Sequence, residues 1–219
     1  PDHELALALI TEAGPLVAPS ANKSGRPSPT RIEHVQADFS QQLPIIDGGA
    51  CKLGLESTVI DMTVQPPCIL RPGYISADDI EERCGFRPVM ASEQPTPAGA
   101  THESPKSPGM KYSHYAPEAR VNWLPGLPPG RSSYAAAELP GHSLLLLHKA
   151  EAAPKQGSRQ IHFEQDYARM ARELYDWFRK ADIDGFAHIG IEPFPETQAS
   201  KTNALQHALY NRISKAIGG

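Results

Sequence analysis

Between Ala18 and Thr30, hydroxyls, an amide and two cations crowd into a short run shaped by Gly and Pro. Ser20, Asn22, Ser24, Ser28 and Thr30 stand around Lys23, Gly25 and Arg26. Phosphate oxygens need such donors, together with backbone N–H groups that a tight loop can aim at one point. Lys23 and Arg26 would add charge, and a helix opening after Thr30 would turn the positive end of its dipole towards the loop. The same residue types also build ordinary turns, so composition alone leaves a plain connection open.

Three more clusters carry chemistry. From Asp47 to Asp61, glycines at 48, 49 and 54 permit close approach of backbone to a ligand, and Ser57 and Thr58 then open a strand on opposite faces. A Gly-rich hairpin leading into a core strand explains the same residues, and G-x-S-x-G is absent, so no nucleophile elbow is present. Arg71, before Pro72-Gly73, stands where a guanidinium can fork onto phosphate or carboxylate; a surface salt bridge is its alternative. Lys111, Tyr112, His114 and Tyr115 sit in a Pro-rich tether, where docking is intramolecular and effective concentrations are of order mM. They read as a plug over a site or as anchors on a domain face. His142, His148, His162, His188 and His207 have no sequence partners and read as structural.

The elements that must position these residues fall in two groups. Asp2 is placed to cap a helix over 3–13, with Leu5, Leu9 and Ile10 on one face and Gly14 ending it. A short strand is expected over 15–19, and Thr30-x-x-Glu33 reads as a capping box for a helix through Val35. Strands follow over 43–47, 57–63 and 68–71, and Ser76-x-x-Asp79 caps a helix through Cys84. Six prolines between Pro88 and Pro117 make a semi-stiff linker. Beyond it, strands over 120–124, 143–148, 159–163 and 186–191 alternate with an amphipathic helix from Tyr167 to Ala181 and a last helix over 202–217. That alternation predicts a parallel, doubly wound sheet. The expected organisation is residues 1–87, a linker over 88–118, and an α/β domain over 119–219.

Bulk properties exclude several classes. The net charge of −4 argues against wrapping nucleic acid, so no stable nucleic-acid binding is expected. Three scattered cysteines and the spacing of nine histidines fit neither a disulfide framework nor a metal site. The apolar run Leu144–Leu147 is far below the ~20 residues of a membrane span. A cytoplasmic protein is expected.

Taken in order and spacing, four runs resemble the long, two-domain form of the threonylcarbamoyl-AMP synthase family. They are Ala18-Pro19-Ser20-Ala21-Asn22-Lys23-Ser24-Gly25, Leu55-Glu56-Ser57-Thr58-Val59-Ile60-Asp61, Leu70-Arg71-Pro72-Gly73, and residues 107–117. The likeness covers residues 1–118 well and the rest loosely, chiefly through Asn211-Arg212. It implies the C-terminal part of a YrdC-like α/β catalytic domain, a Pro-rich linker and a Rossmann-like parallel-sheet domain. It also implies that L-threonine, bicarbonate and ATP become threonylcarbamoyl-AMP and pyrophosphate, for threonylcarbamoyl modification of tRNA adenosine. Ser20, Asn22, Ser28 and Arg71 would bind ATP; Ala18 and Ser57 would contact threonine; Lys111, Tyr112, His114 and Tyr115 would gate the cavity. Mg²⁺ is expected with ATP, no protein metal site is assigned, and no residue is assigned as base or nucleophile.

The family's Lys-x-Arg motif and further threonine-binding residues do not occur in these 219 residues, and the first residue is Pro1. The chain therefore reads as one wall of the site, N-terminally truncated and inactive alone. Downstream tRNA-modification proteins are conceivable partners. Two rivals remain: an RNA-binding YrdC-like module, told apart by salt-dependent RNA binding, and a related carbamoyl-transfer maturation protein, which would lack the linker run.

Overall fold

The computed structural model describes residues 1–39, 43–91, 115–127, 129–153, 155–194 and 203–218. The first group of elements is sparse. Helix α1 (Glu4–Ala13) is followed by α2 (Ile32–Phe39), and then β1 (Val59–Asp61) pairs antiparallel with β2 (Cys68–Arg71). After α3 (Ala77–Cys84), the two-residue strand β3 (Val89–Met90) joins the free edge of β2 in parallel, inside the run expected to be linker. Ile69 of β2 packs on Ala77 and Ile80 of α3. That helix starts as predicted: Asp79 N–H donates to Ser76 Oγ at 3.0 Å, and Ser76 N–H donates to Asp79 Oδ2 at 2.9 Å.

Four local expectations need correction. Asp2 does not cap α1: His3 holds the cap position without a side-chain cap, its ring lying 3.0 Å from the carbonyl of Gly48. The Leu5 and Leu9 face of α1 is half-exposed and lines, with Ile46 and Leu53, a groove of about 790 Å³. Residues 15–19 and 43–47 form no strand, since prolines at 15, 19 and 44 remove ladder donors. Thr30 stands one residue before the cap of α2. Its N–H donates to His34 Nδ1 at 3.1 Å, and the helix runs on past Val35 to Phe39.

The second group is the α/β layer anticipated from the alternating pattern. Strands β4 (Arg120–Trp123), β6 (Ser143–Leu147), β8 (Arg159–His162) and β9 (His188–Ile191) form one parallel sheet in the order β4-β9-β6-β8. Two short strands that periodicity did not reveal, β5 (Ser133–Tyr134) and β7 (Glu151–Ala152), pair beside it. Strand β6 is buried along its length, as a central strand covered on both faces must be. Its even residues Leu144 and Leu146 join Met170, Leu174 and Phe178 of α4 (Tyr167–Ile183) and Leu209 and Ile213 of α5 (Ala204–Ile217). Its odd residues Leu145 and Leu147 meet Leu124, Tyr134, Leu139 and Ala150 on the other face. Asp166 caps α4, accepting from the Arg169 N–H at 2.8 Å. No helix among the described residues is long and apolar enough to cross a membrane.

Candidate functional site

Arg71 ends β2, and Pro72-Gly73 folds the chain back under it. A Cβ on Gly73 would collide with the backbone at Ser57 and Thr58, so glycine lets the two segments close on each other. Arg71 Nε donates to the Ser57 carbonyl at 3.1 Å, and its guanidinium also bonds the Tyr115 hydroxyl. Among the described residues Arg71 makes no ion pair. A guanidinium placed by neutral acceptors keeps its charge for an anion.

Beside it lies a carboxylate that the sequence motif contained but left without a task. Glu56 Oε1 accepts from Ser28 Oγ at 2.5 Å, while Oε2 accepts from Arg212 Nε at 2.7 Å and from the Tyr175 hydroxyl at 3.1 Å. Arg212, wholly buried on α5, also donates to the carbonyls of Pro72, at 2.9 Å, and Glu56. Its guanidinium lies over the ring of Tyr115, 5.6 Å from the centroid, and Tyr115 stacks on Tyr175 at 5.5 Å. Burial would raise the Glu56 carboxyl, but the Arg212 charge and the hydrogen bonds from Ser28 and Arg212 outweigh it and hold Glu56 below the usual range. Burial, then the Glu56 charge, pushes both tyrosines up, Tyr175 farthest.

The Ser20–Ser28 loop is held from the other side by α4. Buried Arg179 grips Asp38 through both carboxylate oxygens, at 3.1 and 2.7 Å, and donates to the Pro27 carbonyl at 2.5 Å. Asp38 in turn accepts from the Lys23 N–H at 3.4 Å. Asn22 braces the turn, its Nδ2 donating to the carbonyls of Lys23 and Arg26 at 3.0 and 3.1 Å, while its buried Oδ1 has no partner among the described residues. Arg26 turns to Glu118 and Asp182, at 2.9 and 3.5 Å, rather than into the loop. Below it, Asp176 accepts from His34 at 3.2 Å and Lys180 at 2.8 Å.

Ser28, Ser57, Arg71 and Tyr115 thus converge around Glu56 and Arg212. Ala18 and Ser20 are exposed on the loop ahead of Ser28, and no hydrogen bond among the described residues ties them to Ser57 or Arg71. Lys111, Tyr112 and His114 lie outside the described residues. Glu56 and Arg212 entered the sequence reading only inside matched runs, without a role, and Tyr175 and Arg179 did not enter it. Their signal was a charge at the apolar spacing of a helix: Arg212 sits among Leu209, Ile213 and Ala216, and Arg179 beside Phe178 and Ala181. Among the described residues no three His, Cys, Asp or Glu side chains gather to hold a metal.

Comparison with known proteins assigns the two halves. A family model described as "Telomere recombination" matches residues 1–73. A second, described as "Threonylcarbamoyl-AMP synthase, C-terminal domain", matches residues 75–218, more than half of the chain. The chain belongs to the threonylcarbamoyl-AMP synthase family. It is 38% identical to the threonylcarbamoyl-AMP synthase of Bacillus subtilis and 48% identical to that of Pyrococcus abyssi, over all of this chain and 62% of each relative. A Schizosaccharomyces pombe relative of the same name is 47% identical over 55% of this chain and 30% of its own length. The crystal structure of P. abyssi Sua5 complexed with L-threonine superposes with a TM-score of 0.74 at 33% identity, covering all of this chain and 62% of that one. The chain therefore spans about three fifths of these relatives' length. The C-terminal model begins at residue 75, so α3 and β3 fall within it.

Proposed function

We propose that residues 1–91 and Tyr115 form one wall of a site that joins L-threonine, bicarbonate and ATP into threonylcarbamoyl-AMP with release of pyrophosphate. The observation that carries this reading is Arg71, a guanidinium oriented by Ser57 and Tyr115 and free of any ion pair among the described residues. Family membership, and a relative crystallised with L-threonine, support it.

In this reading the threonine nitrogen takes up bicarbonate carbon to give a carbamate, with loss of water. A carbamate oxygen then attacks the α-phosphorus of ATP, and the bond to the β-phosphate oxygen breaks as pyrophosphate leaves. Such a reaction asks for alignment and charge placement more than for a nucleophilic side chain. Arg71 would meet ATP phosphate. Ser20 and Asn22, whose buried Oδ1 has no partner among the described residues, would hold the nucleotide with Ser28, whose hydroxyl hydrogen already goes to Glu56. Ala18 and Ser57 would line the threonine side, and Tyr115, with Lys111, Tyr112 and His114, would close the cavity.

The described residues do not fit a protein-held Mg²⁺, because the Glu56 oxygens are taken by Ser28, Tyr175 and Arg212. The ion would arrive on the phosphates of ATP, as Mg²⁺ often does. The product would pass to tRNA modification in the cytoplasm. Calorimetric titration with MgATP tests the site: Arg71→Ala should weaken binding about tenfold or more, the worth of a charge-assisted hydrogen bond of about 1.5–3 kcal/mol, with an unchanged melting temperature. Unaltered affinity would remove Arg71 from the site. Pyrophosphate release that needs both threonine and bicarbonate, measured on a protein carrying these residues, tests the reaction itself.

A further inference from the structure

A second cavity, of about 950 Å³, opens at the carboxyl edge of the parallel sheet and shares no lining residue with the Glu56 cluster. Its walls are the loops that leave the strands: Gly126 and Leu127 after β4, His148 to Ala150 after β6, Gln165 after β8, and Glu192 and Pro193 after β9. The chain leaving β4 covers the face with Tyr134 and Leu139, while the chain leaving β8 enters α4 on the opposite face. Open α/β sheets take ligands in the crevice where connections part in this way.

His148 and Glu192 directly follow the two central strands, and the carboxylate of one holds the loop that carries the other. Glu192 Oε2 accepts from the N–H groups of His148, Lys149 and Ala150 at 2.8, 2.8 and 2.9 Å, which fixes the β6 loop. His148 is only 7% exposed, and its Nε2 lies 3.1 Å from the Pro193 carbonyl. A carbonyl can only accept, so Nε2 carries the hydrogen, with Glu192 Oε1 also near it at 3.7 Å, and in the tautomer with one ring hydrogen the lone pair lies at Nδ1. That Nδ1 is buried with no partner among the described residues, in a structure where buried polar atoms are otherwise nearly all paired. Lys149 is exposed on the same wall and makes no ion pair among the described residues, and Arg131, tied to Glu138 at 2.7 Å, lines the opposite loop.

We propose that this cavity binds a nucleotide-sized organic anion that donates a hydroxyl or amine hydrogen to His148 Nδ1 and sets its phosphate or carboxylate against Lys149 and Arg131. The volume lies at the upper end for small-ligand sites and exceeds what a free amino acid fills. The site uses none of the residues of the proposed catalytic wall, so the two readings fail separately.

The test is an amide and imidazole NMR titration of the 219-residue chain with AMP, and separately with inorganic phosphate and with L-threonine. AMP should give saturable shifts at His148, Ala150 and Glu192 and move the His148 Nδ1 resonance. His148→Phe and Lys149→Ala should each weaken those shifts at least tenfold, while Arg71→Ala leaves them unchanged. Lys149 is exposed, so its variant keeps the test valid if His148→Phe does not fold. Absence of saturation with AMP, equal binding of phosphate or threonine alone, or an unchanged response in Lys149→Ala would each overturn the proposal. So would an AMP-soaked crystal in which Nδ1 meets an ordered water only.

Discussion

Arg212 Nε meets Glu56 Oε2 at 2.7 Å across 156 positions of sequence, with the arginine side chain wholly buried. This pair joins α5 to the segment between Leu55 and Ser57, so the parallel-sheet domain sets the position of Ser28 and of the turn at Pro72. Removing one partner strands the other charge in a poor solvent, at a cost of about 3–5 kcal/mol. Glu56→Gln and Arg212→Met should each lower stability by that order in denaturant unfolding. The double variant should recover part of the loss, since it leaves no unpaired charge. Strictly additive losses would show that the two side chains do not act together.

The elements around this pair were legible to different degrees. Ser76 and Asp79 announced α3 because a capping box is a local device, complete within four residues. The apolar run at Leu144–Leu147 and the helical stripe from Tyr167 announced the sheet and α4 for the same reason. Arg71 and Ser28 were readable as polar residues in Gly/Pro-shaped loops. Their use was not, since Ser28 answers to a carboxylate 28 positions on and Glu56 to an arginine 156 positions on. Periodicity in one segment carries no information about which charge on another will meet it. The 15–19 and 43–47 segments failed for a different reason: apolar residues there suggested strands, but prolines withhold the N–H groups that pairing requires.

Gly54 shows how closely the two halves approach. At φ +73°, it lies against the α4 backbone, where a Cβ would overlap Ala171 and Arg172. Gly49, at φ +83°, has open space around its Cβ position. Gly49→Ala should therefore cost only the left-handed conformation, about 1–2 kcal/mol. Gly54→Ala carries that cost plus a backbone clash, and should lower the melting temperature clearly further. Equal melting temperatures for the two variants would mean that the loop yields without strain.

Arg179 tests whether α4 also shapes the Ser20–Ser28 loop. Its fork meets two oxygens of Asp38 and the Pro27 carbonyl together, which a lysine cannot reproduce. Arg179→Lys preserves the charge but should speed amide hydrogen exchange at Lys23 and Arg26 by tenfold or more. The strands β6 and β9 should exchange as before. If Lys23 kept its protection, the loop would be holding itself through Asn22.

Acid should loosen a neighbouring contact of α4, the one Asp176 makes with His34 and Lys180. Burial alone would raise Asp176, but hydrogen bonds from His34 and Lys180 and the charges of Lys180 and Arg31 hold it at about 2. An unfolded aspartate titrates near ~3.9, so between these values the unfolded chain binds the proton and the folded chain does not. The stabilisation is therefore complete above about pH 4 and is lost as pH falls towards 2. Asp176→Asn cannot titrate. It should be less stable than the parent at pH 6, and the gap should narrow steadily between pH 4 and pH 2 in urea unfolding. Asp38 and Glu56 are also held below their ordinary range by Arg179 and Arg212, so the variant should keep a shallower acid limb of its own. A gap that stayed constant down to pH 2 would show that Asp176 is not held charged by the His34 and Lys180 contacts.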